Sequence, residues 1–513
     1  MDTFDYIVLG AGTAGCALAA RLSEINDVSV AAVEAGSRTL PQSVRDDIAT
    51  PWTWGLVQRT VADWAYESVP QPHLNGRRLP EPRGRLPGGT SNLYVMMHIR
   101  GHRADFDAWA YQGCPGWGYD DVLPYFKKLE DQEDDTSPVA GHGGPLRVQA
   151  ARLHEPNPVS QAFLDACREL GFPHTDDFNG PQMEAAGWHH LNIKNGLRHD
   201  MATAYLYPAL ESRRNLTLID GAQATRLIFA GRRCTGIEFR QGDESRRITA
   251  GREVIVCCGA IDSPKVLLLS GLGDGDRLAQ LGIPVLAHLP GVGENFHNHV
   301  LVPVIGLASR RIPDPKMGMS EAALFYKSEP GWMSPDIQMA FVHGDPGQVK
   351  NPDRPSVTVM LPGVVRPLSR GWVRLASADP SVAPLINPKY LACDSDHARL
   401  TNAVRTARRL YATKALSAWV QTEVQPGSGY MDDRLGDYVR QFAESYHHQA
   451  GSCRMGLDAS AVVDPQLRVH GGIDGLRVAD ASVMPTVPSG NCHAAIVMIA
   501  EKAADMIKAA HRA

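Results

Sequence analysis

The feature that most constrains this chain lies at its start. Tyr6 to Leu9 is a short, β-rich apolar run, followed by Gly10-Ala-Gly12-Thr-Ala-Gly15 and then an alanine-rich helical stretch to about Leu22. A second strand-like run, Val28 to Val33, ends on Glu34, 24 residues after Gly10. Strand, glycine turn, helix, strand and terminal acid is the order of a dinucleotide-binding βαβ unit. In such a unit Gly10 permits the sharp turn, Gly12 lets backbone approach a pyrophosphate and Gly15 lets the helix pack on the strand. The phosphates then meet the free N–H groups and positive dipole end of a helix, and Glu34 accepts from ribose hydroxyls. Glu34 would repel a 2′-phosphate, which disfavours NADP and leaves FAD and NAD open.

A chain of 513 residues has room for two to three domains. The segment from about Ser37 to Pro87 has no clean period and reads as a long irregular surface crossing. Leu216 to Ile228 and Val254 to Cys258 read as strands returning to the first sheet. From about Val300 to Tyr390 the pattern becomes alternating β, as in Val357 to Leu361 and Trp372 to Ala376, with helical stretches on to Phe442. This predicts an α/β (α+β overall) architecture, a Rossmann-like domain with an inserted, largely antiparallel β-sheet domain. The expected division is 1–150, 191–299 and 443–513 for the dinucleotide-binding domain, and 151–190 and 300–442 for the substrate domain.

Charge and cysteine usage exclude some classes. The 51 Lys and Arg against 56 Asp and Glu give a net charge of −5, with no long basic run, so nucleic acid is not expected as a partner. Nine cysteines without a CxxC pair point to free thiols in a reducing compartment. The N-terminus passes directly into the first strand, which argues against a secretory signal and for a cytoplasmic protein. No apolar run reaches the ~18 residues of a membrane span. The histidines, His189, His190 and His297 among them, show no metal-ligand spacing, so no metal is expected. Met96, Met97 and the tryptophans Trp52, Trp54 and Trp64 read as core or lid packing.

Four further segments narrow the reading: Gly84-Arg-Leu-Pro-Gly88-Gly89-Thr90-Ser91-Asn92 with Arg100-Gly-His-Arg-Ala-Asp105 behind it; Gly259-Ala-Ile-Asp-Ser263-Pro264; Pro290-Gly-Val-Gly293-Glu-Asn295; and a C-terminal block. That block holds His448-Gln-Ala-Gly451-Ser-Cys-Arg-Met455-Gly456, Val478-Ala-Asp480-Ala481-Ser482, and Gly490-Asn491 before a helix to about Ile507. From Asp5 to Ile507 the chain resembles the glucose-methanol-choline (GMC) family of FAD-dependent oxidoreductases, with the motifs in the family's order. The resemblance implies FAD rather than NAD. It also implies a cofactor site made of Gly10, Gly12, Thr13, Ala14, Gly15, Glu34, Ala35, Gly88, Gly89, Ser91, Asn92, Ala224, Asp480, Ala481, Asn491 and His493. A carboxylate near phosphates is repulsive, so Asp480 is expected to bind sugar hydroxyls or backbone N–H groups.

His448 matches the family's active-site histidine. Hydride removal from an alcohol carbon requires the hydroxyl proton to leave as well, and imidazole titrates in the range suited to take it. His447 is one position out of register and is expected to be structural. The second active-site position falls on Asn491, whose amide can bond the substrate oxygen but cannot titrate. Where relatives carry a histidine that can link to the flavin, this chain has Leu93, which implies noncovalent FAD. Tyr94 replaces a frequent Asn beside the isoalloxazine, and Asn298-His299 stands where Asp-His is usual.

The implied reaction is FAD-dependent oxidation of an alcohol CH–OH to a carbonyl, with hydride transfer to flavin N5 and with oxygen or another acceptor reoxidising the cofactor. Polar groups in the candidate pocket segments (Tyr446, Gln449, His493) favour a sugar, glycoside or other polar alcohol. The alternatives are oxidation of aryl or furan primary alcohols and, within the same fold, a non-redox lyase or a photodecarboxylase of fatty acids. The His448/Asn491 pair matches the oxidising members.

Overall fold

In the computed structural model, which describes residues 2–134, 137–344 and 353–512, the chain forms two large sheets. The first follows the order Leu216–Ile219, Val30–Val33, Asp2–Leu9, Glu244–Val256, Arg233–Gln241, Ala222–Ala230, and Leu476–Val478 also pairs with Glu244–Val256. Leu216–Ile219, Val30–Val33, Asp2–Leu9, the second half of Glu244–Val256 and Leu476–Val478 are mutually parallel. The central strands are continuous apolar runs, as in sheets covered on both faces: Ile7, Val8, Val30 to Val33 and Val254 to Val256 are fully buried. On one face Thr13–Leu22 packs against the C-terminal helix His493–Arg512.

The parallel strands end together. Gly10 follows Leu9, Glu34 follows Val33, Cys257 follows Val256, and Asp480 lies two residues beyond Val478, so all four line one crevice at the carboxyl edge of the sheet. That edge is where open α/β sheets bind ligands.

The second sheet is antiparallel apart from its short His174–Thr175 edge. Its order is Val420–Gln425, Val304–Ala308, Val357–Val364, Ile337–His343, Ala322–Tyr326, Ala186–Trp188, His174–Thr175, and Val300–Leu301 joins Val357–Val364 to Glu444–Ser445. Its outer face is covered by Pro158–Glu169 and Asp394–Tyr411, with Phe163 stacked on Phe341 at 4.7 Å.

The sequence reading is corrected in four places. The run Leu216 to Ile228 is two strands, because Gly221, at φ +67°, turns the chain between a parallel strand and an antiparallel hairpin. The strand expected from Val28 starts at Val30. Among the described residues Trp372–Arg374 pairs only with Leu385–Asn387, as a separate ribbon. The stretch leading to Phe442 is broken by the strand Val420–Gln425.

Candidate active site

A cavity of about 370 Å³ runs along the carboxyl edge of the first sheet and beneath the second. The glycine loop forms one of its walls. A Cβ on Gly15 would lie 1.8 Å from the Gly10 carbonyl oxygen, so the first turn of the helix can approach the strand only with glycine there. The helix Thr13–Leu22 has no side-chain cap at Gly12, which leaves its first N–H groups directed at the cavity. Gly89 crosses this loop backbone to backbone: its Cβ would fall 2.7 Å from Gly12 Cα.

Of the expected cofactor residues, Gly10, Gly12, Thr13, Ala14, Glu34, Ala35, Gly89, Ala224, Asp480, Ala481, Asn491 and His493 line the cavity. Gly15, Gly88, Ser91 and Asn92 do not, and act as braces. Ser91 Oγ donates to the Gly88 carbonyl and accepts from Met201 N, while Asn92 Nδ2 donates to the carbonyls of Pro87 and Gly89. Glu34 accepts from Ala11 N at 3.0 Å and Gly36 N at 2.9 Å, pinning the glycine loop, and burial pushes its carboxyl up to about 7. Asp480 accepts from Gly259 N at 2.8 Å, Ser482 N at 2.8 Å and the Ser263 hydroxyl, so its charge is directed into backbone N–H groups.

At the other end of the cavity stand His448 and Asn491. Asn491 Nδ2 lies 3.1 Å from His448 Nε2, and Gln338 Nε2 donates to Asn491 Oδ1 at 3.0 Å. His448 Nδ1 is 2.9 Å from His299 Nδ1. The amide of Asn298 fixes the backbone of this loop: its Oδ1 accepts from His448 N at 2.7 Å, and its Nδ2 donates to Ser445 Oγ at 2.8 Å and to the Tyr390 hydroxyl. Both hydroxyls donate their own protons to Glu81, so an aspartate in place of Asn298 would have no proton to offer them. His447 sits at φ +65°, a strained conformation for a side chain of this size, and Arg83 holds its carbonyl at 3.0 Å. The strain turns His447 aside and sends the next side chain to Asn491.

Burial, reinforced by His299, His447 and Arg83, holds the His448 imidazole well below its usual range. His448 is therefore neutral at pH 7, the form that can accept a proton.

Tyr94 and His493 form a second group on the wall. Their rings lie 4.5 Å apart, the Tyr94 hydroxyl donates to Asn192 Oδ1 at 2.9 Å, and both His493 nitrogens are buried with no hydrogen-bond partner among the described residues. His493 opens the 493–512 helix, and burial pulls its pKa down to about 3.

Sequence reasoning missed Gln338 and Arg83. Gln338 is the one amide within the apolar strand Ile337–His343, and a wholly buried glutamine in such a run is the signal that was there to find. Trp54, Trp64 and Met97, expected to be packing residues, line the cavity. Among the described residues no cluster of three or more His, Cys, Asp or Glu is arranged to hold a metal, and no helix is long and apolar enough to cross a membrane.

Residues 4–301 and 367–500 match the GMC oxidoreductase family in two successive blocks. The chain is a GMC oxidoreductase. It is 40% identical to human mitochondrial choline dehydrogenase over 99% of its own length and 90% of the relative's. It is 37% identical to an oxygen-dependent choline dehydrogenase of Rhizobium etli, over 98% and 95% of the two chains. Its fold superposes on pyridoxine 4-oxidase from Mesorbium loti with a TM-score of 0.92 at 32% identity, covering 99% of each chain. Aspergillus oryzae RIB40 formate oxidase, in a structure concerned with its FAD modification, superposes at 0.90 with 27% identity over 100% and 99% of the chains.

As a GMC oxidoreductase the protein is an FAD enzyme acting on CH–OH donors. The residues present fit that cofactor: an uncapped helix N-terminus for phosphates, Glu34 at the end of the second strand, the Gly12–Gly89 crossing where backbone alone separates loop from cavity, and His493 with two unmet polar atoms.

Proposed function

We propose that this GMC oxidoreductase converts an alcohol to the carbonyl with His448 as the base and Asn491 as the hydrogen-bond donor to the substrate oxygen. The observation that carries the reading is the directional chain Gln338 to Asn491 to His448 to His299 at the cavity wall. Gln338 occupies Asn491 Oδ1, which turns the Asn491 N–H groups toward His448 Nε2. That nitrogen then has to be an acceptor, and a neutral imidazole with a bare Nε2 carries its proton on Nδ1, facing His299. An alcohol hydroxyl that takes the place of the Asn491 N–H as donor to His448 Nε2 puts its oxygen beside the Asn491 amide, which then donates to that oxygen. The positive guanidinium of Arg83 and the Asn491 N–H favour the alkoxide that forms as the proton leaves. Bound FAD supplies the hydride acceptor.

Leu93, which lines the cavity, has no atom able to bond to a flavin and supports noncovalent attachment. In the same reading the cofactor domain is 1–150, 191–299 and 443–513 and the substrate domain is 151–190 and 300–442. The nine free cysteines support a reducing, cytoplasmic setting. A sugar or glycoside substrate gains little support from the groups that first pointed to it: Gln449 Nε2 is spent on Glu81, and Tyr446 stacks on His448 at 5.1 Å.

The test is anaerobic mixing of the yellow enzyme with a panel of alcohols. Bleaching by at least one alcohol, slowed ~10²-fold or more in His448→Ala and far less in His447→Ala, is the expected outcome. Equal effects of the two substitutions would refute the role given to His448. Peroxide formation on admitting air separates oxygen from another acceptor, and yellow colour released into an acid supernatant checks noncovalent binding.

A further inference from the structure

Two of the relatives are choline dehydrogenases, and choline carries a quaternary ammonium group. A protein that binds such a cation needs a carboxylate beside it or several aromatic faces around it, because the charge has lost its water and cannot donate a hydrogen bond. The wall over the reacting pair offers mainly aliphatic side chains. Gln338 touches Asn491, and strand alternation puts Ala340 and Val342 on the same face, both lining the cavity. Leu361, the register partner of Ala340, lines it beside them, with Met319 and Leu301. Most of this wall is aliphatic, and Glu444, the register partner of Leu301, lines the cavity at its exposed edge.

The acids of the cavity lie elsewhere. Glu34 and Asp480 are held by backbone N–H groups at the sheet edge, and Asp262 accepts from the Tyr66 hydroxyl at 2.9 Å. Glu444 does line the cavity beside Leu301, but at an edge open to solvent, where water screens its charge. Glu81 is buried outside the lining, with its oxygens taken by Tyr390, Ser445 and Gln449. The aromatic faces are also committed: Tyr446 to His448, Tyr94 to His493, and Trp64 to the guanidinium of Arg85 at 4.7 Å. Trp54 makes no such pairing among the described residues, and one ring cannot form a cage.

The fixed charges acting on the imidazoles are positive. Arg83 acts on His447 and His448, while Arg366, which acts on His299, is itself paired with Asp105. Arg83 makes no ion pair within 4.0 Å among the described residues; its guanidinium contacts are the carbonyls of His447 and Pro82. This potential helps an alkoxide and opposes a tetraalkylammonium group placed two carbons from it.

We infer that the site selects an uncharged alcohol bearing an apolar group and discriminates against quaternary ammonium alcohols, choline included. The inference rests on the alcohol-oxidation reading above and adds the substrate class. The apolar wall takes the substituent, and the polar atoms of the pair take the hydroxyl.

The decisive comparison uses the wild-type holoenzyme, so no variant has to fold. Choline and 3,3-dimethyl-1-butanol have the same shape and differ by one charge, with nitrogen in one replaced by carbon in the other. Anaerobic flavin reduction is followed with both, and with benzyl alcohol and glucose. The expected result is reduction by the neutral apolar alcohols with second-order rate constants at least tenfold above those for choline and glucose. The rise in melting temperature at equal ligand concentration, which needs no turnover, should rank the four compounds in the same order. Choline equal to or faster than its neutral isostere, or glucose fastest of the four, overturns the inference while alcohol oxidation stands. An enzyme whose flavin no alcohol bleaches loses the oxidation reading itself, and the substrate class falls with it.

Discussion

His299 Nδ1 lies 2.9 Å from His448 Nδ1, with the two rings 82° apart and both buried. Two neutral imidazoles in this contact must divide donor and acceptor between them. With Asn491 donating to His448 Nε2, the proton sits on His448 Nδ1 and His299 accepts it. The remaining His299 proton is then on Nε2, a buried nitrogen with no hydrogen-bond partner among the described residues. A neutral histidine thus fixes the tautomer and orientation of the proposed base, a task that carboxylates perform in many hydrolases.

Replacing His299 with Ala should slow flavin reduction by ~10-fold to 10²-fold and leave the flavin spectrum in place, because His299 is not among the cavity-lining residues. The loss should appear in the limiting rate more than in the apparent affinity for the alcohol. His299→Gln, whose carbonyl can still accept from Nδ1, should recover part of it. Stopped-flow reduction of the three proteins checks the order, and an unchanged limiting rate in His299→Ala would show that His448 holds its tautomer without help.

Acid should destabilise this protein through its buried histidines. Burial lowers His299, His447 and His493 to about 3, and takes His448 well below 6.5. The unfolded chain binds protons at these sites from about pH 6.5 downward while the folded chain does not, so their contribution to stability is greatest above 6.5 and falls as the pH drops toward the folded values, whereas Glu34 and Glu321, both raised to about 7, act in the opposite sense. Each unit between the two pKa values is worth about 1.36 kcal/mol per group, summed only as far as the sites titrate independently. Urea midpoints from pH 8 to 5 should therefore fall with a slope that flattens when His299, His447 and His493 are replaced in turn. The proposed base has the same sign: the rate of flavin reduction should stay level down to a pH well below 6.5, because His448 remains unprotonated there.

Much of the first sheet was legible because its signal is local. The order strand, Gly10-to-Gly15 loop, helix and Glu34 occupies one continuous stretch, and a glycine whose Cβ would meet a carbonyl at 1.8 Å leaves its mark in the residue type itself. The C-terminal block with His448 and Asn491 was legible for the same reason. What stayed hidden depends on residues far apart in the chain. Gln338 meets Asn491 across 153 positions and His299 meets His448 across 149, and nothing in either local run records the contact. The irregular region from Ser37 to Pro87 gave no period, because its role is to drape Trp54, Trp64 and Arg83 over the cavity with few regular hydrogen bonds. The break at Gly221 was missed because β-rich residues flank it on both sides.

The loop crossing gives a prediction about cofactor retention. Gly89→Ala puts a methyl group 2.7 Å from Gly12 Cα, so the two loops have to separate by several tenths of an ångström. The purified variant should fold, with flavin content well below one per chain and restored by added FAD. Gly15→Ala faces a carbonyl at 1.8 Å and cannot be relieved by a small shift; it should give little soluble protein. Absorbance at the flavin band relative to protein, before and after soaking in FAD, measures the first. Full occupancy in Gly89→Ala would mean that the crossing tolerates a side chain and that the cofactor does not depend on it.

Asn491 and Gln338 should behave as one unit. Gln338 is fully buried and does not line the cavity, so its influence on an alcohol has to pass through the amide whose oxygen it holds. Asn491→Ala removes the proposed donor to the substrate oxygen and should lower flavin reduction by ~10²-fold, the scale for losing one such donor. Asn491→His, which keeps an N–H, should retain more activity than Asn491→Ala. Gln338→Leu leaves Asn491 Oδ1 unmet and lets the amide turn over, so a smaller loss of ~10-fold is expected. In the double variant the losses should not multiply, because without the Asn491 side chain Gln338 has nothing left to orient. All of these proteins should keep a single ionisation in the pH profile, since neither amide titrates. Fully multiplicative losses would show that Gln338 acts on the reaction by another route, and loss of the ionisation in Asn491→Ala would move the proton transfer away from His448.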